Sequence, residues 1–340
     1  MLRVLPVSCI ALILLCVSVS PANAATAAEN LLKKSDEWFH TNDGRKALEN
    51  ILSWQTDHGD WPKNTDTTSK TYSGDRAKLR GTFDNGATTG ELRTLARGVR
   101  LTGEARYKEA FLKGFDHVVA AQYSNGGWPQ HFPLRKGYSS HITFNDNCMT
   151  RILQFLQEVA SRDDSFLDEE RRAAATRAVN LGIECIIKCQ IVVNGTRTVW
   201  CAQHDAVTLA PAQARSYELA SLSGGESASI LKFLMKIKNP SPDVIRAVKA
   251  GVSWFEATKI EGYRYNRGEK LPVLTKDSDS RQLWARFYEI ETNRPFFCDR
   301  DGVIKYDIEQ IGSERRGGYS WYGHWGESMA NEYRKWPHRS

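Results

Sequence analysis

The sequence lacks the features that mark several large classes of protein. Charge of one sign is not in excess, since 46 Lys and Arg residues face 40 Asp and Glu residues and leave a formal net charge of +6. Charge this mild and dispersed excludes the dense basic stripe of nucleic-acid-binding proteins, and we expect no nucleic-acid partner. A P-loop, an HExxH zinc motif, a GxSxG nucleophile motif and a dinucleotide-binding glycine pattern are also missing. The apolar fraction of 41% is that of an ordinary folded protein.

Long hydrophobic runs are missing after the N-terminus. There, an apolar run over 4–19 follows Arg3 and is followed by Pro21 and the small residues of 22–24. About 16 apolar residues fall short of the roughly 20 that cross a bilayer, whereas this layout is typical of a signal peptide. We therefore interpret residues 1–24 as a signal peptide, with an N-terminal membrane anchor as the alternative. The prediction is a secreted or periplasmic protein without stable membrane association after leader removal.

Cysteine is scarce in the remaining chain. Five cysteines follow the leader, at 148, 185, 189, 201 and 298, so at least one is unpaired. No CxxC pair or Cys/His cluster indicates zinc. No Ser/Gly/Pro-rich linker divides residues 25–340 either, and we predict that they form a single domain.

Tryptophan-containing loops recur at intervals of about 70 residues. The segments are GDWPK at 59–63, GGWPQ at 126–130 and, more faintly, WCAQ at 200–203. A polar segment and then a helical pattern of apolar residues follow each of them. An interval of this length accommodates two helices of average size with their loops. The sequence therefore predicts a repeated helix pair.

Periodicity in the rest of the chain is also mainly helical. We predict an all-α fold, an (α/α) barrel or toroid of antiparallel helix pairs with long loops and a few short strands at one end. Asn194-Gly195 predicts a hairpin between strand-like residues 191–193 and 198–200. Thr88 and Glu91 predict a capping box at a helix start. The long loops are expected to carry the functional site.

Oxygen-rich residue pairs follow the first two tryptophan loops. Asp84-Asn85 and Asp146-Asn147 lie at points that the repeat predicts to be equivalent, and Arg215 occupies the corresponding place in the third repeat. Carboxylate and amide oxygens suit calcium or magnesium. The alternative is that both aspartates only cap helices.

Aromatic rings are a second candidate feature. Rings that stack on the apolar faces of sugars could line a groove, and the candidates in glycine-rich loops are Trp61, Trp128, Trp321 and Trp325. The alternative is a place in the helical core, which we expect for Trp254 and Trp284 because they lie within helical patterns.

Seven motifs, in chain order, resemble those of pectate lyase family 10. They are WPKN at 61–64, TFDNGAT at 82–88, GGWPQ at 126–130, HITFND at 141–146, WCAQHD at 200–205, ARSYE at 214–218 and ERRGGY at 314–319. The resemblance extends over about residues 30–335, essentially the whole chain after the leader. It implies an (α/α) toroid that cleaves polygalacturonate by calcium-assisted anti β-elimination and leaves 4,5-unsaturated oligogalacturonides. We expect a monomer.

The resemblance also implies roles for single residues. Asp84 and Asp146 would be the active-centre aspartates and would hold calcium together with the substrate carboxylate. Arg215 would match the catalytic arginine, the Brønsted base, and Arg300 the substrate-binding arginine of an Arg-Asp-Gly turn. Further substrate contacts are expected from the matched positions Lys63, Asn85, Trp128, Tyr217 and Arg316.

The implied chemistry makes an unusual demand on arginine. Removal of the C5 proton of galacturonate places negative charge on the adjacent carboxylate, which calcium and Arg300 would stabilise. Arg215 must be neutral to take that proton, although arginine normally stays protonated up to about pH 12. We expect calcium and a neighbouring cation to lower its pKa, and we expect an alkaline activity optimum.

Two other functions are compatible with the same residues. An inverting glycoside hydrolase on the same toroid would use Asp84 as acid and Asp146 as base on uronic-acid polysaccharides. A pectin-binding module without turnover would bind its ligand even after Arg215→Ala. Elimination differs from both because it creates a conjugated double bond that absorbs ultraviolet light.

Overall fold

The computed structural model describes residues 25–267 and 272–339, so the predicted signal peptide lies outside the described residues. Helices provide most of the regular structure. They are α1 Ala27–Leu31, α2 Asp36–His40, α3 Asn42–Ser53, α4 Thr89–Thr102, α5 Ala105–Ala120, α6 Cys148–Ser161, α7 Glu169–Cys189, α8 Gly224–Met235, α9 Pro242–Thr258, α10 Ser313–Gly318 and α11 Trp325–Lys335. None of the helices in the described part of the chain is long and apolar enough to cross a bilayer.

The helices are arranged as pairs that follow one another around an axis. Helices α4 and α5, α6 and α7, and α8 and α9 pack as partners. The first helices of these pairs contact one another in chain order and α8 packs on α11, whereas α3, α5, α7 and α9 form a second, outer series. The inner helix α8 buries nine of its 12 residues, as expected for a helix surrounded on most sides. The predicted helical toroid is confirmed, but within 25–267 and 272–339 it is not a closed barrel.

Short strands connect successive helix pairs. The twelve described strands are β1 Ile142–Thr143, β2 Val192–Val193, β3 Thr196–Arg197, β4 Gln203–His204, β5 Leu222–Ser223, β6 Tyr263–Tyr265, β7 Leu274–Lys276, β8 Trp284–Ala285, β9 Phe287–Tyr288, β10 Phe297–Cys298, β11 Ile304–Lys305 and β12 Tyr322–Gly323. They form two-stranded antiparallel ladders, and β1 with β4, β5 with β9 and β8 with β12 join the start of an inner helix to a distant loop. The hairpin predicted at Asn194-Gly195 is confirmed by the pairing of β2 with β3.

The tryptophans of the repeat close the ends of helices. Each indole Nε1 donates to one of the last four carbonyls of a helix, which have no partner within it. The pairs are Trp61 with Ile51 of α3 (2.8 Å), Trp128 with Val118 of α5 (2.8 Å), Trp200 with Ile186 of α7 (2.7 Å), Trp284 with Phe255 of α9 (2.9 Å) and Trp321 with Arg315 of α10 (2.9 Å). The repeat is therefore real, and Trp284 belongs to a fourth copy in β8 rather than to a helix.

This capping role corrects the prediction of a tryptophan-lined sugar groove. Trp61, Trp128 and Trp321 are 0% exposed, so none of them can contact a ligand. Trp325 is only partly buried and packs beside Gly225 and Gly323. A buried indole needs an acceptor for its N–H, and the helix ends supply it.

The capping box predicted at Thr88 is wrong. The Thr88 hydroxyl donates to the carbonyl of Thr82 (2.8 Å) and accepts from the backbone N–H of Trp61 (3.0 Å) instead of capping α4.

The cysteines form no disulfide bond among the described residues. All five cysteines of the described residues are buried and free, and the Sγ atoms of Cys185 and Cys189 are 4.0 Å apart.

Candidate active site

Asp84 lies in a tight turn at the start of the inner helix α4. The turn Asp84–Gly86 is 3₁₀-helical, with Asn85 in the left-handed region at φ 54°, a conformation that asparagine tolerates better than most residues. Asp84 is 2% exposed. Its Oδ2 accepts from Nζ of Lys63 and from Nε2 of Gln130 (2.7 Å), whereas its buried Oδ1 has no hydrogen-bond partner among the described residues.

The turn before α6 has the same form but a different register. In Asn145–Asn147 the left-handed residues are Asp146 and Asn147, at φ 50° and 63°, and they match Asn85 and Gly86, at φ 54° and 78°. Asn85 and Asp146 are therefore equivalent, and the equivalent of Asp84 is Asn145. The sequence-based pairing of Asp84 with Asp146 is wrong by one residue.

The third repeat also differs from the sequence-based assignment. The backbone N–H groups of Thr82, Thr143 and Ser223 donate to the carbonyls of the three repeat tryptophans, at 3.0, 3.0 and 2.8 Å. Three residues beyond Ser223 lies Glu226, in the position of Asn85 and Asp146. Arg215 is outside this register, in the irregular segment 205–221 between β4 and β5. Glu226 was detectable, because Ser223-x-x-Glu226 has the spacing of Thr143-x-x-Asp146.

A buried guanidinium joins the second and third repeats. Nη2 of Arg286 lies 2.5 Å from Oε1 of Glu226, 3.1 Å from Oδ1 of Asn145 and 3.4 Å from Oδ1 of Asp146. Desolvation raises the pKa of Asp146; Arg286 opposes the shift, and Asp84 and Glu226 add to it. The charged form of Asp146 is thus incompletely compensated by the protein.

Arg215 is held by a neighbouring carboxylate. Its Nε donates to Oε2 of Glu218 (2.7 Å) and its Nη2 donates to Oε1 of the same side chain. Oε1 also accepts from the hydroxyl of Tyr319 (2.7 Å), whose ring lies 4.9 Å from the guanidinium of Arg286. A continuous series of contacts therefore connects Arg215 with Asp146.

The electrostatic setting of Arg215 differs from the expectation. Burial lowers the pKa of Arg215, but the hydrogen bonds and charge of Glu218 outweigh that effect and leave the pKa above its ordinary value. The sequence predicts a decrease caused by calcium and a neighbouring cation. The charged group in contact with Arg215 is instead a carboxylate, so among the protein's own residues the shift is upward.

A cluster of guanidinium groups surrounds the ring of Tyr217. The guanidinium carbons of Arg215, Arg300 and Arg315 lie 5.0, 5.8 and 4.7 Å from its centroid. Glu314 binds the exposed Arg300 (2.9 Å) and Arg315 (2.5 Å). Tyr217 is itself 4% exposed, so its main contacts are with arginines rather than with solvent.

The structure brings together most of the residues selected from the sequence. Lys63 binds Asp84, and Asn85 extends from the same turn, with Nδ2 3.1 Å from Oδ1 of Asn64. Two assignments differ: Trp128 is a helix cap, and Arg316 is buried, with Nη1 donating to the carbonyl of Ile311 (2.9 Å). Their predicted substrate contacts are corrected to contacts inside the protein.

The turn residues fit a hard cation. The buried Oδ1 of Asp84 is an acceptor without a hydrogen bond from the described residues. Asp146 is a second carboxylate, and Asp84 is close enough to contribute to the raised pKa of Asp146. Oxygen donors of this kind suit calcium. In the described ranges, 25–267 and 272–339, no group of three or more His, Cys, Asp or Glu side chains could hold a metal ion by itself.

Comparisons with known proteins identify the family. A family described as pectic acid lyase matches residues 55–330. A family 10 polysaccharide lyase from Cellvibrio cellulosa is 39% identical, with a TM-score of 0.81 over 92% of this chain and 97% of that one. An aspartate-to-alanine mutant of such a lyase from the same organism, in complex with trigalacturonic acid, is also 39% identical, with a TM-score of 0.82 over 93% and 98%. Among curated proteins none matches the chain.

Identity of 39% over nearly the whole of both chains, together with a family match over most of the sequence, establishes the relationship. It covers the two turns, the segment of Arg215 and the guanidinium cluster. The chain belongs to the pectic acid lyase family and is a family 10 polysaccharide lyase, a pectate lyase.

Proposed function

We propose that the enzyme cleaves α-1,4-polygalacturonate by calcium-assisted anti β-elimination and releases 4,5-unsaturated oligogalacturonides. The substrate class is supported by the related lyase that is in complex with trigalacturonic acid. The observation that carries the reaction is the contact series from Asp146 through Arg286, Tyr319 and Glu218 to Arg215. This series supports the proposal because it links a carboxylate that suits a cation with a candidate base.

Asp84 and Asp146 are the residues that would hold calcium. When bound there, the ion would supply Lewis-acid stabilisation of a uronate carboxylate and of the charge that develops on it. Lys63 already neutralises one oxygen of Asp84, so the unpartnered Oδ1 is the atom that remains for a cation. Arg286 holds Asp146 and Glu226 in place through ion pairs.

Arg215 would remove the C5 proton, and Arg300 would bind a substrate carboxylate. Arg300 has a suitable position, because its side chain is 64% exposed and adjoins Tyr217. A planar guanidinium binds carboxylates through paired hydrogen bonds. The neutral fraction of this base increases with pH. Because Glu218 raises the pKa of Arg215, that fraction becomes appreciable only at high pH, and we expect an alkaline optimum.

Product analysis tests the proposed reaction. Polygalacturonate is digested with and without a chelator, and ultraviolet absorbance and new reducing ends are measured in parallel. Elimination predicts equal numbers of conjugated double bonds and new ends, in a calcium-dependent reaction. New ends without absorbance would indicate hydrolysis, and undiminished rates in the chelator would remove calcium from the account.

We propose that this reaction takes place outside the cytoplasm. Residues 1–24 have the layout of a signal peptide, and we propose that the mature chain is secreted or periplasmic. Sequencing the N-terminus of exported enzyme tests this, with Ala25 expected as the first residue.

A further inference from the structure

Arg215 is placed by a loop that Glu218 closes. The backbone N–H of Ala214 donates to the carbonyl of Glu218 (2.9 Å), and the N–H of Glu218 donates to the carbonyl of Arg215 (2.8 Å). The Glu218 side chain also accepts from the backbone N–H of Arg215 (3.3 Å). Positioning of Arg215 therefore depends on Glu218 and not on a helix or a strand.

The same carboxylate holds one edge of the guanidinium. Nε and Nη2 of Arg215 donate to the two oxygens of Glu218, an arrangement that fixes both the position and the plane of the group. Nη1 takes no part in this pair. The Arg215 side chain is 41% exposed, whereas that of Glu218 is 5% exposed, so the held edge lies inside and the rest of the group is accessible.

Glu218 is anchored in turn by a buried tyrosine. The Tyr319 hydroxyl donates to Oε1 of Glu218 (2.7 Å), and the Tyr319 ring packs against Phe287 and Trp321. Tyr319 is buried, so close packing of its ring fixes the position of this hydroxyl.

We propose that Glu218 is the positioning residue of the catalytic base: it holds Nε and Nη2 of Arg215, is fixed by Tyr319, and leaves Nη1 as the nitrogen that takes the C5 proton. This inference rests on the proposed function and assigns an atom to it. Nη1 can first lose a proton to solvent without breaking the pair with Glu218. The C5–H bond then breaks and an N–H bond forms at Nη1. The C5–H electron pair forms the C4=C5 bond, the C4–O bond breaks with its electrons, and the leaving oxygen takes a proton from water.

Positioning by a carboxylate has an electrostatic cost. The charged or titratable groups that face Arg215 are Glu218, Tyr217, Tyr319 and Arg300, and Glu218 also faces Arg286. Glu218 stabilises the protonated form of Arg215, which is the inactive one. An opposite charge in contact typically shifts a pKa by roughly one to three units. Removal of the Glu218 charge should therefore lower the pKa of Arg215, an effect that a purely structural role of Glu218 would not produce.

Two variants of Glu218 separate charge from position. In Glu218→Gln the charge is lost while an acceptor oxygen remains, and the pH of half-maximal kcat is expected to fall by about one to three units with KM nearly unchanged. In Glu218→Ala the position is also lost, and kcat is expected to fall roughly 100-fold. Both are measured by absorbance of the unsaturated product over the full alkaline range. A uniform loss in Glu218→Gln with an unchanged half-maximal pH, or wild-type behaviour of both variants, overturns the inference.

A milder variant and a matched control complete the test. Tyr319→Phe deletes only the hydroxyl and is expected to lower kcat by roughly tenfold without raising KM; wild-type kcat would contradict the anchoring role even if the Glu218 variants fail to fold. Glu49→Gln removes the carboxylate that binds Arg106 through two hydrogen bonds on the outer helices, and it is expected to keep the wild-type pH profile.

Failure of this inference can be distinguished from failure of the proposed function. If wild-type enzyme forms no unsaturated product, or if Arg215→Lys keeps full activity, the proposed base is wrong whatever Glu218 does. If Arg215→Lys is inactive while Glu218→Gln has the wild-type profile, only the positioning role of Glu218 is wrong.

Discussion

At the scale of single residues, the site contains two carboxylates, Asp84 and Asp146, whose burial the protein offsets only in part. Oδ1 of Asp84 is buried without a hydrogen bond from the described residues, and desolvation raises the pKa of Asp146 although Arg286 opposes the shift. Unsatisfied buried acceptors are expensive, and perturbed carboxyl groups are common at functional sites. These two residues therefore mark the place where a cation would stabilise the protein as well as the substrate.

Replacement of the proposed base tests the chemistry at this scale. Arg215→Lys keeps a positive charge but loses the planar fork that binds Glu218, so we expect kcat to fall by roughly 100-fold or more while KM for oligogalacturonate changes little. Steady-state kinetics with absorbance detection measures both. Arg106→Lys, at the outer pair with Glu49, is the matched control. Near-normal turnover in Arg215→Lys would exclude Arg215 as the base.

A buried carboxyl group in helix α4 predicts a pH-dependent stability. Burial raises the pKa of Glu91 from 4.5 to about 7, although Thr67 donates a hydrogen bond to it (3.0 Å). The folded state therefore binds a proton that the unfolded state releases between these pH values, and stability must fall as pH rises from about 4.5 to 7. The shift corresponds to about 3 kcal/mol.

Urea unfolding at several pH values checks this prediction. Glu91→Gln is expected to remove most of the decline between pH 4.5 and 7, because the amide has no proton to release. Glu104→Gln, at an exposed position, is expected to follow the wild-type curve. A parallel decline in wild-type enzyme and Glu91→Gln would show that the pH dependence arises elsewhere.

At the scale of elements, each repeat combines a tryptophan that caps a helix with a turn that carries a polar side chain of the site. Indole caps at the helix ends recur in α3, α5, α7 and α9, and the turns that begin the inner helices carry Asn85, Asp146 and Glu226. The tryptophans thus fix the ends of the helices, and the turns place polar groups near one another. Function and stability reside in different parts of the same repeat.

The capping role of Trp128 predicts a loss of stability without a loss of binding. Trp128→Phe leaves the carbonyl of Val118 without its indole partner, which costs about 1–3 kcal/mol, so the unfolding temperature is expected to fall by several degrees. KM for polygalacturonate should stay the same, since the ring is fully buried. Calorimetry measures the unfolding temperature and steady-state kinetics measures KM. The control is Trp38→Phe, because Trp38 is partly exposed. A raised KM with an unchanged unfolding temperature would restore the sugar-contact interpretation.

The second turn predicts a change in the calcium requirement. Asp146→Asn removes a carboxylate charge, and asparagine tolerates the left-handed backbone at φ 50°, so the turn should persist. We expect the calcium concentration for half-maximal activity to rise roughly tenfold or more. The control is Asp243→Asn, at an exposed ion pair with Arg246. An identical calcium titration would return Asp146 to a purely structural role.

The sequence predicts the elements better than their register. The helix pairs and the Asn194-Gly195 hairpin follow from periodicity and turn chemistry. The equivalence of Asp84 with Asp146 does not hold, because Asp and Asn follow Thr82-Phe83 and Thr143-Phe144 in the opposite order, and the left-handed position after each turn start is filled by Asn85 and Asp146. The sequence does not predict Arg286 and Tyr319 as site residues, because only the folded chain brings them into contact with Asp146 and Glu218. Burial of Trp128 could not be predicted either, because a loop motif does not say which face of the loop its ring occupies.

At the scale of the whole molecule, the toroid brings together segments that are distant in sequence. Five separate loops or turns supply Asp84, Asp146, Arg215, Arg286 and Arg300. Arg286 contacts Asp146, and Asp84 and Arg300 interact electrostatically with Asp146 and Arg215, respectively. A formal net charge of +6 favours the approach of a polyanion, although exposed charges are screened beyond about 8 Å at physiological salt. Selectivity for a uronate therefore depends on the local guanidinium groups and not on the overall charge.

The central claim is that two turns and one arginine act on a single galacturonate ring, and a crystal structure of Arg215→Ala with trigalacturonate and calcium tests it most directly. The account predicts calcium between a uronate carboxylate and the side chains of Asp84 and Asp146, with C5 of that sugar directed toward the position of the missing guanidinium. A uronate bound away from these carboxylates, or with C5 directed away from residue 215, would contradict it.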